Sequence, residues 1–184
     1  MNAIAWLSCI LSVLLSWGCA TGVTVKPDEP KHMVRSMETG KLPLSDNPLD
    51  AAYWVDGRVV QLHHGKVSQP AAPGASAFIE ILVSGDPEYG DLNGDGLDDA
   101  VLFLQCNTGG SGTFYYAAVC LYNGLRWRGT SAVFLGDRII PQRIDINNGI
   151  VIVHYLRRMP DEPMSASAKV EMSKTLALEA FADH

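Results

Sequence analysis

From residue 49 onward the apolar residues come in short runs, and Gly, Asn, Asp or Pro breaks nearly every one. No segment keeps helical spacing over ten or more residues with caps at its ends, which excludes long helices. The candidate strands are 53–63, 77–83, 100–106, 114–122, 125–135, 141–146, 149–156 and 169–178. Asp56-Gly57 marks a turn or bulge inside the first run. Asn123-Gly124 and Asn147-Asn148-Gly149 each stand between two apolar runs, which is the strongest short-range hairpin signal. About seven or eight strands with a turn every 8–12 residues predict an all-β fold, a single antiparallel sandwich or half-open barrel. The last run, 169–181, reads equally as a strand or as a C-terminal helix.

At 184 residues with 47% hydrophobic content, the chain is long and apolar enough for one domain with its own core. The formal net charge of -6 argues against nucleic acid as a partner, because phosphate binding needs clustered Lys and Arg. The acidity is local to 86–99, which points to a cation.

The N-terminus is set apart from the fold. Residues 3–17, AIAWLSCILSVLLSW, are apolar and uncharged, about 15 residues where a membrane-spanning helix wants about 20. That length suits the core of a secretory signal over 1–18. The run ends in LLSWGC, residues 14–19, which resembles the lipobox of bacterial lipoproteins, with Trp17 and Ser16 as departures from the usual pattern. The resemblance implies cleavage before Cys19, diacylglycerol on its thiol and acylation of the new N-terminus. Each buried methylene is worth about 0.8 kcal/mol, so several chains anchor firmly. Ala20, in place of Asp, implies sorting to the outer membrane, facing the periplasm; the alternative is an ordinary secreted or periplasmic protein. Residues 19–48 carry scattered charges and prolines with no period and read as a flexible tether with a reach of about 25–30 Å.

The segment GDLNGDGLDDAVLF, 90–103, carries the one recognisable chemistry. Counted from Asp91, oxygen-bearing side chains fall at positions 1, 3, 5 and 9: Asp91, Asn93, Asp95 and Asp99. Gly96 is sixth, and Leu97 is seventh, where a backbone carbonyl serves. Calcium takes about six to eight oxygens, and this register supplies five ligand groups toward that number. Position 12 is Leu102, where an EF-hand has a bidentate Glu, so the loop is not an EF-hand. It resembles the DxDxDGxxD loops of integrin-type propeller blades. That resemblance implies side-chain ligands at Asp91, Asn93, Asp95 and Asp99, a carbonyl from Leu97 and a structural Ca2+; Asp98 points elsewhere. Asp86 and Glu88 are close enough upstream to add a ligand. A divalent ion would reverse the mutual repulsion of these acids and let the strand at Ala100 enter the core. No second copy occurs, so a propeller is excluded.

Other signals are weaker. Gly109, Gly110, Ser111 and Gly112 form a hairpin loop over 107–113 that could contact a ligand, but neither a helix start nor a Lys follows to bind phosphate. Adjacent His63 and His64 cannot chelate from one face of a strand, and His154 in IVIVHY reads as a satisfied core or rim histidine. Leu135-Gly136-Asp137-Arg138 reads as a turn with an Asp–Arg pair. Cys106 and Cys120 could form a disulfide in an oxidising compartment. If 107–113 is a simple hairpin, however, Cys106 faces Phe114 and Cys120 lies roughly 20 Å away, against a limit of about 7 Å between Cα atoms. Two buried thiols are then the default.

Five segments together, PAAPGASAFIEI (70–81), YGDLNGDGLDDAVLFL (89–104), GGSGTFYYAAV (109–119), FLGDRI (134–139) and RRMPDEPM (157–164), resemble a group of bacterial envelope proteins without assigned activity. The resemblance implies one all-β periplasmic domain and supplies no catalytic residues. The expected function is a lipid-anchored, calcium-stabilised binding or structural module, with a protein or glycan partner on the Gly-rich loop side. The alternatives are a periplasmic hydrolase with an unrecognised site, or an enzyme inhibitor acting through 107–113. A concavity joining His154, Asp137 and Arg138 would favour the hydrolase.

Overall fold

The computed structural model describes residues 42–181 except 160 and 164. The signal segment, Cys19 and the tether up to residue 41 lie outside the described residues. In chain order the strands are β1 (Leu44–Ser45), β2 (Ala52–Val55), β3 (Arg58–Gln61), β4 (Lys66–Pro70), β5 (Phe78–Gly90), β6 (Asp99–Asn107), β7 (Thr113–Tyr122), β8 (Trp127–Gly129), β9 (Val133–Asp137), β10 (Ile140–Asn147), β11 (Ile150–Arg157) and β12 (Val170–Ala177). Two short 3-10 turns, Pro48–Asp50 and Leu178–Phe181, are the only helical pieces among the described residues. No helix there is long and apolar enough to cross a membrane. The fold is all-β, as the punctuation predicts.

Three tight turns set the local register. Asp56-Gly57, His64-Gly65 and Asn148-Gly149 each place two successive residues at positive φ, between +46° and +78°. That is the type I′ geometry, whose twist matches the strands it joins. It closes the hairpins β2–β3 and β10–β11 and the bridge from His63 to Lys66.

The main sheet runs β1-β8-β7-β6-β5-β4, all antiparallel, with β9 also on β7, and it curls like a half-open barrel. A second sheet, β10-β11-β12, covers one face, and the β2–β3 hairpin covers the other. Even-numbered Leu102, Leu104, Ala118 and Cys120 pack with Tyr53, Val55, Val60 and Leu62 of the hairpin. Odd-numbered Val101, Phe103, Ala117 and Val119 pack with Ile144, Val151, Val153 and Leu176 of the second sheet. Both faces of β6 and β7 are therefore dry over their central stretches, 100–104 and 117–120. AVLFLQC reads as a continuous apolar run because alternation is lost when both sides of a strand are covered. Each wholly buried Leu or Val there contributes about 1.5–3 kcal/mol.

Several boundaries differ from the sequence reading. The run 53–63 is a hairpin, and 125–135 splits into β8 and β9. Asn123-Gly124 does turn the chain, but as a four-residue loop between Tyr122 and Trp127, with Asn123 Oδ1 accepting from Leu125 and Arg126 N–H. The last run is a strand that ends in a 3-10 turn, whose Phe181 is buried. The segment expected as tether to residue 48 already joins the domain: Leu42 is buried and β1 pairs with β8.

Candidate functional site

Loop 91–99 connects β5 to β6 and is closed at its base by the pairing of Gly90 with Asp99. Its acids are first of all acceptors for its own backbone. Asp91 Oδ1 accepts from Gly94 N–H (2.7 Å) and Oδ2 from Gly96 N–H (3.0 Å). Asn93 Oδ1 accepts from Asp95 N–H (2.9 Å), and Asn93 Nδ2 donates to Asp95 Oδ2 (3.0 Å). Asp95 Oδ1 accepts from Leu97 N–H (2.8 Å). These are successive Asx turns, the reason Asp and Asn recur at every second position. The amides of Gly96 and Gly94 hold the Asp91 carboxyl below the ordinary carboxylate range.

Asp99 differs. It is 0% exposed, the one buried charged side chain among the described residues. Its Oδ1 accepts from Tyr122 N–H (2.8 Å) and its Oδ2 from Leu92 N–H (3.2 Å). It thereby ties the first residue of β6 to the end of β7 and to the loop. Burial pushes its carboxyl pKa up, the two amides pull it back, and the neighbouring charges of Asp95 and Asp91 push it up again.

The predicted ligands thus divide into two sets. Asp91, Asn93 and Asp95 share the exposed turn, Leu97 follows them, and Asp99 lies inside. Among the described residues no group of three or more His, Cys, Asp or Glu side chains is arranged around a common ion position. Asp86 and Glu88 are not part of the loop. They line a separate concavity of about 280 Å³ between the β5 bulge and β10.

The Gly-rich loop is braced from elsewhere. Asp137 Oδ1 accepts from Thr113 N–H (2.9 Å), Arg138 N–H donates to Thr113 O (2.7 Å), and the Arg138 guanidinium donates to Ser111 O. The LGDR turn therefore holds 109–112, and its Asp–Arg contact is 3.5 Å. Cys106 pairs in register with Phe114 and Cys120 with Ala100, as the simple hairpin requires. Both thiols are free and buried, so the Cys106–Cys120 disulfide is not formed. Burial pushes the Cys120 thiol up to about 12.

No family model, curated protein or solved structure matches this chain.

One cluster escaped the sequence reading. His154 Nε2 lies 2.9 Å from Asp145 Oδ2, Arg143 Nε donates to the same carboxylate oxygen (3.2 Å), and Arg143 Nη2 lies 3.3 Å from His154 Nε2. Its concavity, about 130 Å³, includes Glu171 but neither Asp137 nor Arg138. The signal was present in the Asn148-Gly149 turn. A two-residue hairpin places Asp145 opposite Ile152, and hence diagonal to His154.

Proposed function

We propose that the chain is a lipid-anchored protein of the bacterial envelope whose β domain binds a partner and does no chemistry, and whose loop 91–99 is completed by one structural calcium ion. The observation that carries the ion is Asp99: a carboxylate with no exposed surface, flanked by two more acids, whose hydrogen-bond partners are neutral amides. A divalent cation is the economical counter-charge for such a site. Every loop carboxylate oxygen that accepts one amide keeps a second lone pair for a metal. Asp91, Asn93, Asp95, Asp99 and the Leu97 carbonyl would supply the oxygens. The anchor is Cys19, acylated and held in the outer membrane on the periplasmic side.

Thermal unfolding of the full chain in detergent tests the ion. Excess calcium raises the melting temperature over chelator in the native chain and not in Asp95→Ala; identical melts in the native chain would end the calcium assignment. Fractionation tests the anchor: the native chain pellets with membranes and Cys19→Ser does not.

A periplasmic hydrolase is the second reading. The contact favouring it is Asp145–His154, the base-and-orienter half of a triad, with Ser173 across from His154 on β12. Ester or peptide turnover lost in both His154→Ala and Ser173→Ala would establish it. The braced loop 107–113 is the feature that an inhibitor would present.

A further inference from the structure

Two concavities, of about 410 and 470 Å³, share Asp56, Tyr116 and Phe134 and so form one groove between the β2–β3 turn and β9. Its walls are rings. Phe134 is 49% exposed, and its ring stands 5.4 Å from Tyr116, edge to face, and 6.4 Å from Phe114. Trp54 closes the far end. Tyr116 is only 7% exposed, yet its hydroxyl has no hydrogen bond among the described residues. Asp56, at the tip of the turn, is exposed and makes no ion pair among the described residues. Arg58 on the same hairpin donates to the Ala71 carbonyl (3.2 Å) and does not line the groove.

We propose that this groove docks an arginine side chain carried on an extended segment of a partner protein. Aromatic faces attract a cation, and a guanidinium stacks flat on them as an ammonium cannot. The Asp56 carboxylate takes two N–H groups side by side, and the idle Tyr116 hydroxyl accepts a third. The methylene stem of the arginine lies against Phe134. A formal net charge of -6 draws a basic segment toward the domain. A neutral glycan would stack on the same rings and donate hydroxyls to Asp56 without matching its charge, so the sugar is a separate outcome of the test. The inference rests on the binding-module reading and does not depend on the calcium loop.

The test is an NMR titration of the full 15N-labelled chain in detergent micelles with acetyl-Gly-Arg-Gly-amide. The same peptide with citrulline, which keeps the shape and loses the charge, is the control, and cellohexaose is the sugar probe. The arginine peptide shifts the Trp54 indole and Gly57 amide saturably and binds about fivefold or more tighter than the citrulline peptide. Asp56→Asn keeps a residue that tolerates the left-handed turn and removes the discrimination. Equal binding of both peptides, or discrimination that survives Asp56→Asn, would overturn the proposal. Sugar binding that Asp56→Asn leaves intact would replace it with a glycan site and leave the binding-module reading standing. Silence toward all three probes would remove both the inference and the binding role of this face.

Discussion

Asp99→Ala is the most informative single substitution. In the native domain the carboxylate satisfies two backbone donors, Tyr122 N–H and Leu92 N–H, at a place with no solvent access. Truncation strands both. A buried donor left without a partner costs about 1–3 kcal/mol, so two give a range of about 2–6 kcal/mol. Against this stands the relief of a carboxylate whose ionised form is disfavoured where it lies, which is why its pKa is raised. The net loss is placed at about 3 kcal/mol, or roughly 10 °C of melting temperature for a domain of this size. Asp99→Asn loses about half as much, because its carbonyl keeps one amide while its Nδ2 confronts the other. Urea unfolding followed by far-ultraviolet circular dichroism, in chelator, measures both. A loss under about 0.5 kcal/mol for the alanine variant would show that neither hydrogen bond matters and that loop and strand are held by other contacts.

The acid limb of stability has two opposing contributions. Asp91, hydrogen-bonded to Gly96 and Gly94, and Asp145, beside Arg143, have folded-state pKa values below the ordinary range; their stabilisation is present above that range and is lost as pH falls through the folded values. Asp99 acts in the opposite sense: its contribution is present below the ordinary carboxylate range and is lost as pH rises through its raised folded value. Asp99→Ala should therefore lose stability more steeply than the native chain as pH falls from above the ordinary carboxylate range into that range, and parallel pH profiles would contradict this. Gly129→Ala would drive a methyl into the Ala52 carbonyl and to 2.9 Å from Tyr53 Cδ1, costing about 3 kcal/mol or more by urea unfolding, and a neutral result would mean that the β2–β3 hairpin is free to shift. Cys120 should resist a thiol reagent at pH 8 until urea unfolds the domain, since it has no exposed surface and burial holds its thiol protonated; prompt labelling of Cys120 would show that the hairpin cover opens.

The parts of the fold legible in the chain are those governed by neighbours. Asn148-Gly149 sets the β10–β11 register, and the 107–113 loop sets the pairing that keeps Cys106 and Cys120 apart. β4 was not legible: KVSQP is half polar, as an edge strand blunted by Lys66 and Pro70 tends to be. The split of 125–135 was hidden because β8 and β9 both pair with β7, at different points along its length. At the candidate site, spacing marked Asp91, Asn93, Asp95 and Asp99, but every-second-residue carboxylates serve both Asx turns and metals. That Asp99 turns inward to clasp Tyr122 depends on a strand 23 residues away. The Asp145–His154 contact needed a diagonal, which alternation alone does not display.

The double cover over β6 and β7 also limits how this domain can be cut. A truncation that ends the chain before Ile140 would leave Val101, Phe103, Ala117 and Val119 facing water. One that begins after Gln61 would uncover Leu102, Leu104 and Ala118. Neither product would be a smaller soluble module; each would be an open sheet with a sticky side, prone to associate with its own kind.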